Sequence, residues 1–227
     1  MFNFLVSYNA EDSYYSLTKS GFVAIAVILV LILVIAAFIF NPKKSVKFGT
    51  RQHVFSAAAM ALGFAASYVK LYSMPWGGSV TLCSMLFICL AGYFFGPKIG
   101  LVTALSYGML QLLQDGGSYI LDPFQVCCDY FFSFMALGLS GFFSDRKNGL
   151  LTGYLVAIFG RGVFLTLGGY IYWMSYMPES FPQALSGIYP IVYNYSFIIA
   201  EGIITVVILS VPAVRQSLRR IKQMANE

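Results

Sequence analysis

The sequence predicts an all-α, polytopic membrane protein with a six-helix core and one N-terminal accessory transmembrane helix. Of its 227 residues, 59% are hydrophobic and only 10% are charged, and the mean hydropathy is +0.76. Soluble domains carry about 25% charged residues, so this chain lacks the polar side chains to cover a water-exposed globule. The composition excludes a soluble enzyme, a disordered tail and a secreted disulfide scaffold. It also argues against nucleic-acid binding, despite the net charge of +5.

Seven apolar segments have the length and composition of membrane spans, which need about 20 residues to cross the hydrocarbon. The first, Gly21–Phe40, contains no charge and no small-residue face, so we expect a peripheral helix in contact with lipid. The six others are Gln52–Tyr72, Val80–Phe95, Ile99–Leu113, Phe124–Phe143, Leu150–Trp173 and Pro190–Val211. They contain the Gly, Ala, Ser and Tyr residues that support close helix packing and a binding site.

Basic residues orient these predicted spans. One group follows the first span and another lies near the C-terminus: Lys43, Lys44, Lys47 and Arg51, then Arg215, Arg219, Arg220 and Lys222. Lys98, Arg146 and Lys147 lie in the turns that seven spans would place on the same side. Because cytoplasmic loops are rich in Lys and Arg, we expect the N-terminus outside and the C-terminus in the cytoplasm.

The predicted organisation has three parts. Residues 1–51 form an outer tail, the accessory helix and a basic linker; residues 52–215 form the six-helix core; residues 216–227 form a cytoplasmic tail. The chain carries no phosphate-binding or nucleophile motif, and its cysteines (Cys83, Cys89, Cys127 and Cys128) have no metal-site spacing. His53, the single histidine, fits an interfacial residue. We therefore expect no enzymatic activity, no cofactor and no metal site.

Three charged residues lie inside predicted spans and away from their ends: Asp129, Arg161 and Glu201. Such residues are costly in a membrane and usually face the protein interior or a cavity. Arg161 and Glu201 are both predicted near the midplane, where a structural ion pair is the economical interpretation. Asp129 is predicted near the outer face without a basic partner, which suits binding of a cationic solute. A proton relay through all three residues, in a transporter that works alone, is an alternative.

Three predicted outer loops combine Gly or Pro with Trp, Tyr, Asp or Gln: Ser73–Val80, Gln114–Gln125 and Trp173–Pro190. An interfacial aromatic belt accounts for the Trp and Tyr residues. An aromatic cage for a flat cation accounts better for the glycine pairs and the convergent polar residues. Both interpretations remain open from the residues alone.

Ala57, Ala61 and Ala65 repeat at every fourth position and therefore share one helix face. A face of small residues lets another helix approach closely. That helix belongs either to the same bundle or to a separate membrane subunit. In the second case the chain could also be a non-transporting scaffold.

Four stretches resemble the thiamine-specific substrate-binding (S) component of energy-coupling factor (ECF) vitamin transporters, also known as the thiamine transporter family. They are YSMPWGGSVTLCSM, GGSYILDPFQVCCDY, YWMSYMP and IYPIVYNYSFIIAE, and the resemblance spans about residues 52–215. It implies a six-helix protein of the bacterial plasma membrane with an outward-facing thiamine pocket. It also implies a transmembrane coupling protein and two cytoplasmic ATPase subunits as partners.

The resemblance also implies roles for individual residues. Asp129 would face the cationic thiazolium, with Tyr130 and Tyr119 lining the same pocket. Trp173 would stack on a ligand ring, Tyr189 and Asn194 would add contacts, and Trp76 would lie in a gating loop. The face of Ala57, Ala61 and Ala65 would dock the coupling protein.

Two positions depart from the family pattern. The acidic residue is Asp129 rather than the commoner Glu, which is one methylene longer. The family's ligand-contacting histidine is absent, and the resemblance places Leu165 at the equivalent position.

Overall fold

A computed structural model describes residues 6–9, 14–17, 20, 49–115 and 121–227. The predicted accessory helix Gly21–Phe40 and Tyr119 lie outside the described residues, as do three lysines of the linker. Near the N-terminus, β1 (Val6–Asn9) pairs antiparallel with β2 (Tyr14–Leu17).

Seven helices make up most of the described part of the chain. They are α1 (Thr50–Tyr68), α2 (Ser84–Phe95), α3 (Pro97–Gln114), α4 (Pro123–Phe143), α5 (Gly149–Tyr176), α6 (Gln183–Ser210) and α7 (Pro212–Asn226). Among them, α4, α5 and α6 are long and apolar enough to cross a membrane, and α2 is a shorter apolar helix. Six helices correspond to the predicted core spans, which confirms the helical membrane fold.

A second hairpin separates α1 from α2, where the sequence predicted helix up to Tyr72 and again from Val80. Instead β3 (Lys70–Ser73) pairs antiparallel with β4 (Ser79–Thr81). The turn depends on Gly77 and Gly78, whose φ angles of 106° and 80° are readily adopted only by glycine. The all-α prediction therefore holds for the core but missed both hairpins.

Two helices contain wide, π-helical turns at the same end of the bundle. In α4 the turn spans Cys127–Phe132, and in α5 it spans Gly169–Trp173. Such turns are rare and frequently occur at functional sites, because they redirect side chains out of the regular helical register. They contain three of the predicted site residues, Asp129, Tyr130 and Trp173.

The chain reversals divide the molecule into two ends. The site end carries the β3–β4 hairpin and the α3–α4 and α5–α6 connections, whereas the basic end carries the α2–α3, α4–α5 and α6–α7 connections. Between them lies an apolar core that includes the fully buried side chains of Ile88, Leu137, Tyr154 and Ile198.

The last helix, α7, packs across the basic end. Its apolar face places Leu218, Ile221 and Ala225 against the core. Lys222 Nζ donates to the Ser144 carbonyl at 2.5 Å, and burial lowers the pKa of this ammonium group. Residues 212–226, most of which the sequence predicted as a tail, therefore form a helix fixed to the bundle.

Candidate functional site

The Asp129 carboxylate lies on the wide turn of α4 at the site end. Its Oδ2 atom accepts hydrogen bonds from Gln125 Nε2 at 2.6 Å and from Trp173 Nε1 at 3.0 Å. The sequence predicted a carboxylate without a basic partner, and the structure gives it two neutral donors. Among the described residues no cation pairs with it, so its negative charge is held in place without being neutralised.

The start of α4 is tied to the end of α5 beside this carboxylate. Asp122 caps α4 by accepting from the Phe124 backbone amide at 2.8 Å, and the same oxygen accepts from the Tyr172 hydroxyl at 2.9 Å. Tyr172 directly precedes Trp173 in the chain. The cap therefore helps to set the position from which Trp173 reaches Asp129.

Two adjacent glycines bring three helices together at the site. A Cβ atom built on Gly168 would lie 2.8 Å from Asp129 Oδ1 on α4. A Cβ atom on Gly169 would lie 2.7 Å from Pro190 Cβ on α6 and 3.4 Å from Asn194 Nδ2. Because no side chain intervenes, α5 approaches both neighbours closely and places Asp129 and Asn194 on either side of it.

Asn194 is buried, with 5% of its surface exposed. Its Nδ2 atom donates to the backbone carbonyls of Leu165 at 3.2 Å and Pro190 at 2.8 Å. The contact with Leu165 is made through its backbone, which any residue at this position would offer. The two bonds fix the amide and leave its oxygen as the acceptor that can meet a ligand.

A row of aromatic rings, termed the aromatic row, connects the hairpin tip with α6. Its members are Trp76, Phe181, Tyr189, Tyr193 and Phe197. Successive ring centroids are 5.0, 5.0, 5.7 and 6.2 Å apart. Phe181 lies between Trp76 and Tyr189 with only 1% of its surface exposed. These rings touch one another, so a ligand can enter between them only if they separate.

The hairpin tip rests directly on the aromatic row. A Cβ atom on Gly77 would lie 2.8 Å from the Tyr193 ring, and one on Gly78 would lie 2.5 Å from the Phe197 ring. Trp76, the predicted loop residue, is thus held over α6 by a turn with no room for side chains.

Tyr130 is directed differently from its neighbour Asp129. Its hydroxyl donates to Asp115 Oδ2 at 2.7 Å, at the C-terminal end of α3. The structure therefore brings Asp129, Trp173 and Asn194 together, and joins Trp76 to Tyr189 through Phe181, whereas Tyr130 extends towards α3.

The predicted ion pair between Arg161 and Glu201 is wrong for the described residues. Glu201 accepts from the backbone amides of Thr81 at 3.2 Å and Met85 at 3.0 Å, so it joins β4 to the first turn of α2. The Arg161 guanidinium lies 3.9 Å from the centroid of the Phe134 ring. Unsatisfied backbone N–H groups at a helix start attract a carboxylate, so Glu201 binds there and not to Arg161. Sequence spacing alone did not reveal this alternative partner.

The predicted alanine face lies on the outside of α1. Ala57, Ala61 and Ala65 are all exposed, whereas Gly63 and Ala66 point into the bundle. Among the described residues, the helices of the bundle therefore do not cover these three alanines.

The fold and the site together define a helical membrane protein with an acidic, aromatic-lined candidate site at one end. The family model described as Thiamine transporter protein (Thia_YuaJ) matches residues 53–220, and the chain belongs to this family. The resemblance found in the sequence is thereby confirmed.

Two relatives agree with this assignment. The chain is 29% identical over 169 residues to the thiamine transporter ThiT of Bacillus subtilis (strain 168), covering 69% of this chain and 84% of the relative. A solved structure of ThiT from Listeria monocytogenes superposes with a TM-score of 0.51 at 20% identity. That match covers 72% of this chain and 94% of the ThiT chain, and it shows a shared fold.

Proposed function

We propose that this protein is the membrane-embedded subunit that captures thiamine outside a bacterial cell for uptake by an ATP-driven ECF importer. The observation that carries the proposal is the Asp129 carboxylate, which two neutral donors hold at the site end. The curated relative named a thiamine transporter supports thiamine as the ligand.

The carboxylate suits the thiazolium ring of thiamine, which carries a permanent positive charge. Gln125 and Trp173 orient the carboxylate without neutralising it, so its charge remains available to the ligand. In a partly buried site this attraction is several times stronger than in water. A cation over an aromatic face gains further attraction, which the ring of Trp173 can supply.

Asn194 and the aromatic row supply the remaining contacts. The fixed amide of Asn194 leaves its oxygen to accept a hydrogen bond from the amino group on the pyrimidine ring of thiamine. Tyr189 and Trp76 offer ring surfaces for the two flat rings of the ligand. Because Phe181 fills the space between them, we propose that the hairpin lifts away to admit thiamine and closes after it binds.

The distribution of charge supports an outward-facing site end and a multi-pass topology. The basic end carries Arg146, Lys147 and the basic residues of α7, which suits the cytoplasmic side. Asp115, Asp122, Asp129 and Glu179 lie in or beside the connections of the site end. This orientation leaves the C-terminus in the cytoplasm and, with the predicted accessory helix, the N-terminus outside.

The exposed alanine face supports a separate coupling partner. We propose that a transmembrane coupling protein docks on Ala57, Ala61 and Ala65 and connects this chain to two cytoplasmic ATPase subunits. Side chains no larger than a methyl group let a partner helix approach closely, and core packing leaves them accessible.

Uptake measurements in cells that lack other thiamine transporters test the proposal. Cells that express this chain alone should bind labelled thiamine without accumulating it. Cells that also express a coupling protein and its ATPases should accumulate thiamine, and Ala61→Leu should abolish accumulation while preserving binding. Accumulation by the chain alone, abolished by a protonophore, would instead establish a proton-coupled transporter. Absence of any thiamine binding would favour a scaffold.

A further inference from the structure

A cleft opens at the basic end, on the opposite side of the core from the candidate site. It lies between the start of α5, the last turns of α6 and the first turns of α7. Lys147, Arg215 and Arg219 all line it, and no acidic side chain belongs to its lining among the described residues. The cleft therefore concentrates positive charge that thiamine capture at the site end does not use.

The two arginines are aligned by the packing of α7. Arg215 and Arg219 are four residues apart and so lie on one face of the helix. Asn226 Nδ2 donates to the Phe94 carbonyl at 3.2 Å, and Lys222 Nζ lies 4.0 Å from the centroid of the Tyr93 ring. These contacts fix α7 to α2, so the positions of the cleft cations are set by the folded bundle.

The backbone of α5 adds to the positive potential. The first turn of α5, from Gly149 to Leu151, lines the cleft, and Asn148 at the N-cap forms no side-chain capping bond. Backbone N–H groups at the start of a helix carry partial positive charge and favour anions such as phosphate. The helix start and three cationic side chains thus converge on one cleft.

The other walls of the cleft are apolar and continue onto the surface of the bundle. Leu150, Leu151, Leu209 and Leu218 line the cleft. Beyond it, the outer surfaces of α5 and α6 expose Leu155, Phe159, Ile203 and Val207 at 46%, 63%, 60% and 60%. In a membrane such surfaces face lipid chains. A soluble phosphate compound has no group to match them, whereas a phospholipid has both a phosphate and acyl chains.

We propose that this cleft is a binding site for an anionic phospholipid. The headgroup phosphate lies between Lys147, Arg215, Arg219 and the start of α5, and an acyl chain runs along the exposed apolar surface of α5 and α6. The inference rests on the proposed topology, because it places the basic end at the cytoplasmic membrane interface. Basic pockets between helices at that interface suit anionic headgroups.

Native mass spectrometry of the purified, delipidated protein tests the site. Phosphatidylglycerol should bind in preference to phosphatidylcholine. The triple variant Lys147→Gln/Arg215→Gln/Arg219→Gln should weaken phosphatidylglycerol binding by about a hundredfold, because each basic residue near an anionic membrane surface contributes about fivefold. The matched control Arg51→Gln/Arg146→Gln/Arg220→Gln removes the same charge from exposed positions outside the cleft and should change binding by less than about fivefold.

Two further arms separate the possible outcomes. Arg215 Nε also donates to the Leu209 carbonyl, a contact that joins α7 to α6. The double variant Lys147→Gln/Arg219→Gln keeps this contact, and its affinity for phosphatidylglycerol should still fall about twenty-five-fold. Equal weakening by the cleft and control variants would overturn the proposal, as would equal binding of the two lipids. Full displacement of phosphatidylglycerol by inorganic phosphate would show a soluble-phosphate site instead. Thiamine binding, measured on the same samples, should not change, so the lipid site and the proposed function fail independently.

Discussion

Replacing Asp129 by Asn removes the charge of the proposed thiazolium contact while preserving its shape. The carboxylate accepts bonds from Gln125 and Trp173 through a single oxygen, Oδ2. The amide oxygen of Asn can occupy that place and accept both bonds. Asp129→Asn should therefore fold normally and isolate the contribution of the negative charge to ligand binding.

The size of the effect follows from the burial and hydrogen bonding of the carboxylate. Two charges 4 Å apart attract by about 4 kcal/mol at the effective dielectric of a protein surface site, before desolvation is subtracted. Removing one partner of a hydrogen-bonded charge pair in an interface costs about 2–5 kcal/mol. Asp129 is only partly buried, so we expect the low end, a loss of about 2–3 kcal/mol or about 30- to 150-fold in thiamine affinity.

Isothermal titration calorimetry of the purified protein tests this prediction by measuring its affinity for two ligands. Thiamine should bind Asp129→Asn much more weakly, whereas its neutral pyrimidine precursor, which lacks the thiazolium, should bind both proteins about equally. Asp115→Asn provides a matched control, because Asp115 accepts a bond from Tyr130 at the same end of the bundle. An equal loss of affinity for both ligands, or no loss for thiamine, would refute the assignment of Asp129 to the cation.

Three further variants test the framework of the site. Glu201→Gln places an amide group against backbone donors at the start of α2 and should lower the free energy of unfolding by about 1–3 kcal/mol, seen as a lower melting temperature in detergent. Gly77→Ala introduces a side chain at a φ of 106° against the aromatic row and should weaken thiamine binding, whereas Gly187→Ala, which meets no atom within 4 Å, should not. If both glycine variants bind thiamine like the parent, the hairpin does not cover the site. Ala61→Leu should leave the melting temperature unchanged because its side chain is exposed; a large decrease would mean that α1 packs through this face.

Most of the fold was predictable because a membrane requires long apolar helices, and composition alone reveals them. The predicted span Phe124–Phe143 agrees with α4 to within one residue. The β3–β4 hairpin was missed because no glycine or proline separates α1 from Lys70–Ser73. Only the paired Gly77 and Gly78 marked a turn, and they do not show where the strands begin.

The site was predictable in part. Asp129 stood out as an acidic residue inside one predicted span and Trp173 as an aromatic residue at the end of the next, and the structure joins them. Phe181 was missed because it lies in a polar loop, and no local pattern shows that this ring would be buried between Trp76 and Tyr189. The partner of Glu201 was also missed, because its contact with the start of α2 joins residues 116 positions apart.

The central claim is that thiamine binds at the site end between Trp76 and Trp173, the only two tryptophans of the chain. Titration of the purified protein with thiamine, followed by tryptophan fluorescence, tests it most directly. We predict that thiamine quenches the fluorescence saturably, with one thiamine bound per chain. The amplitude of quenching should be smaller in Trp173→Phe and in Trp76→Phe, because each tryptophan contributes to the signal. Tight thiamine binding without any change in the fluorescence of either tryptophan would place the ligand elsewhere and contradict the claim.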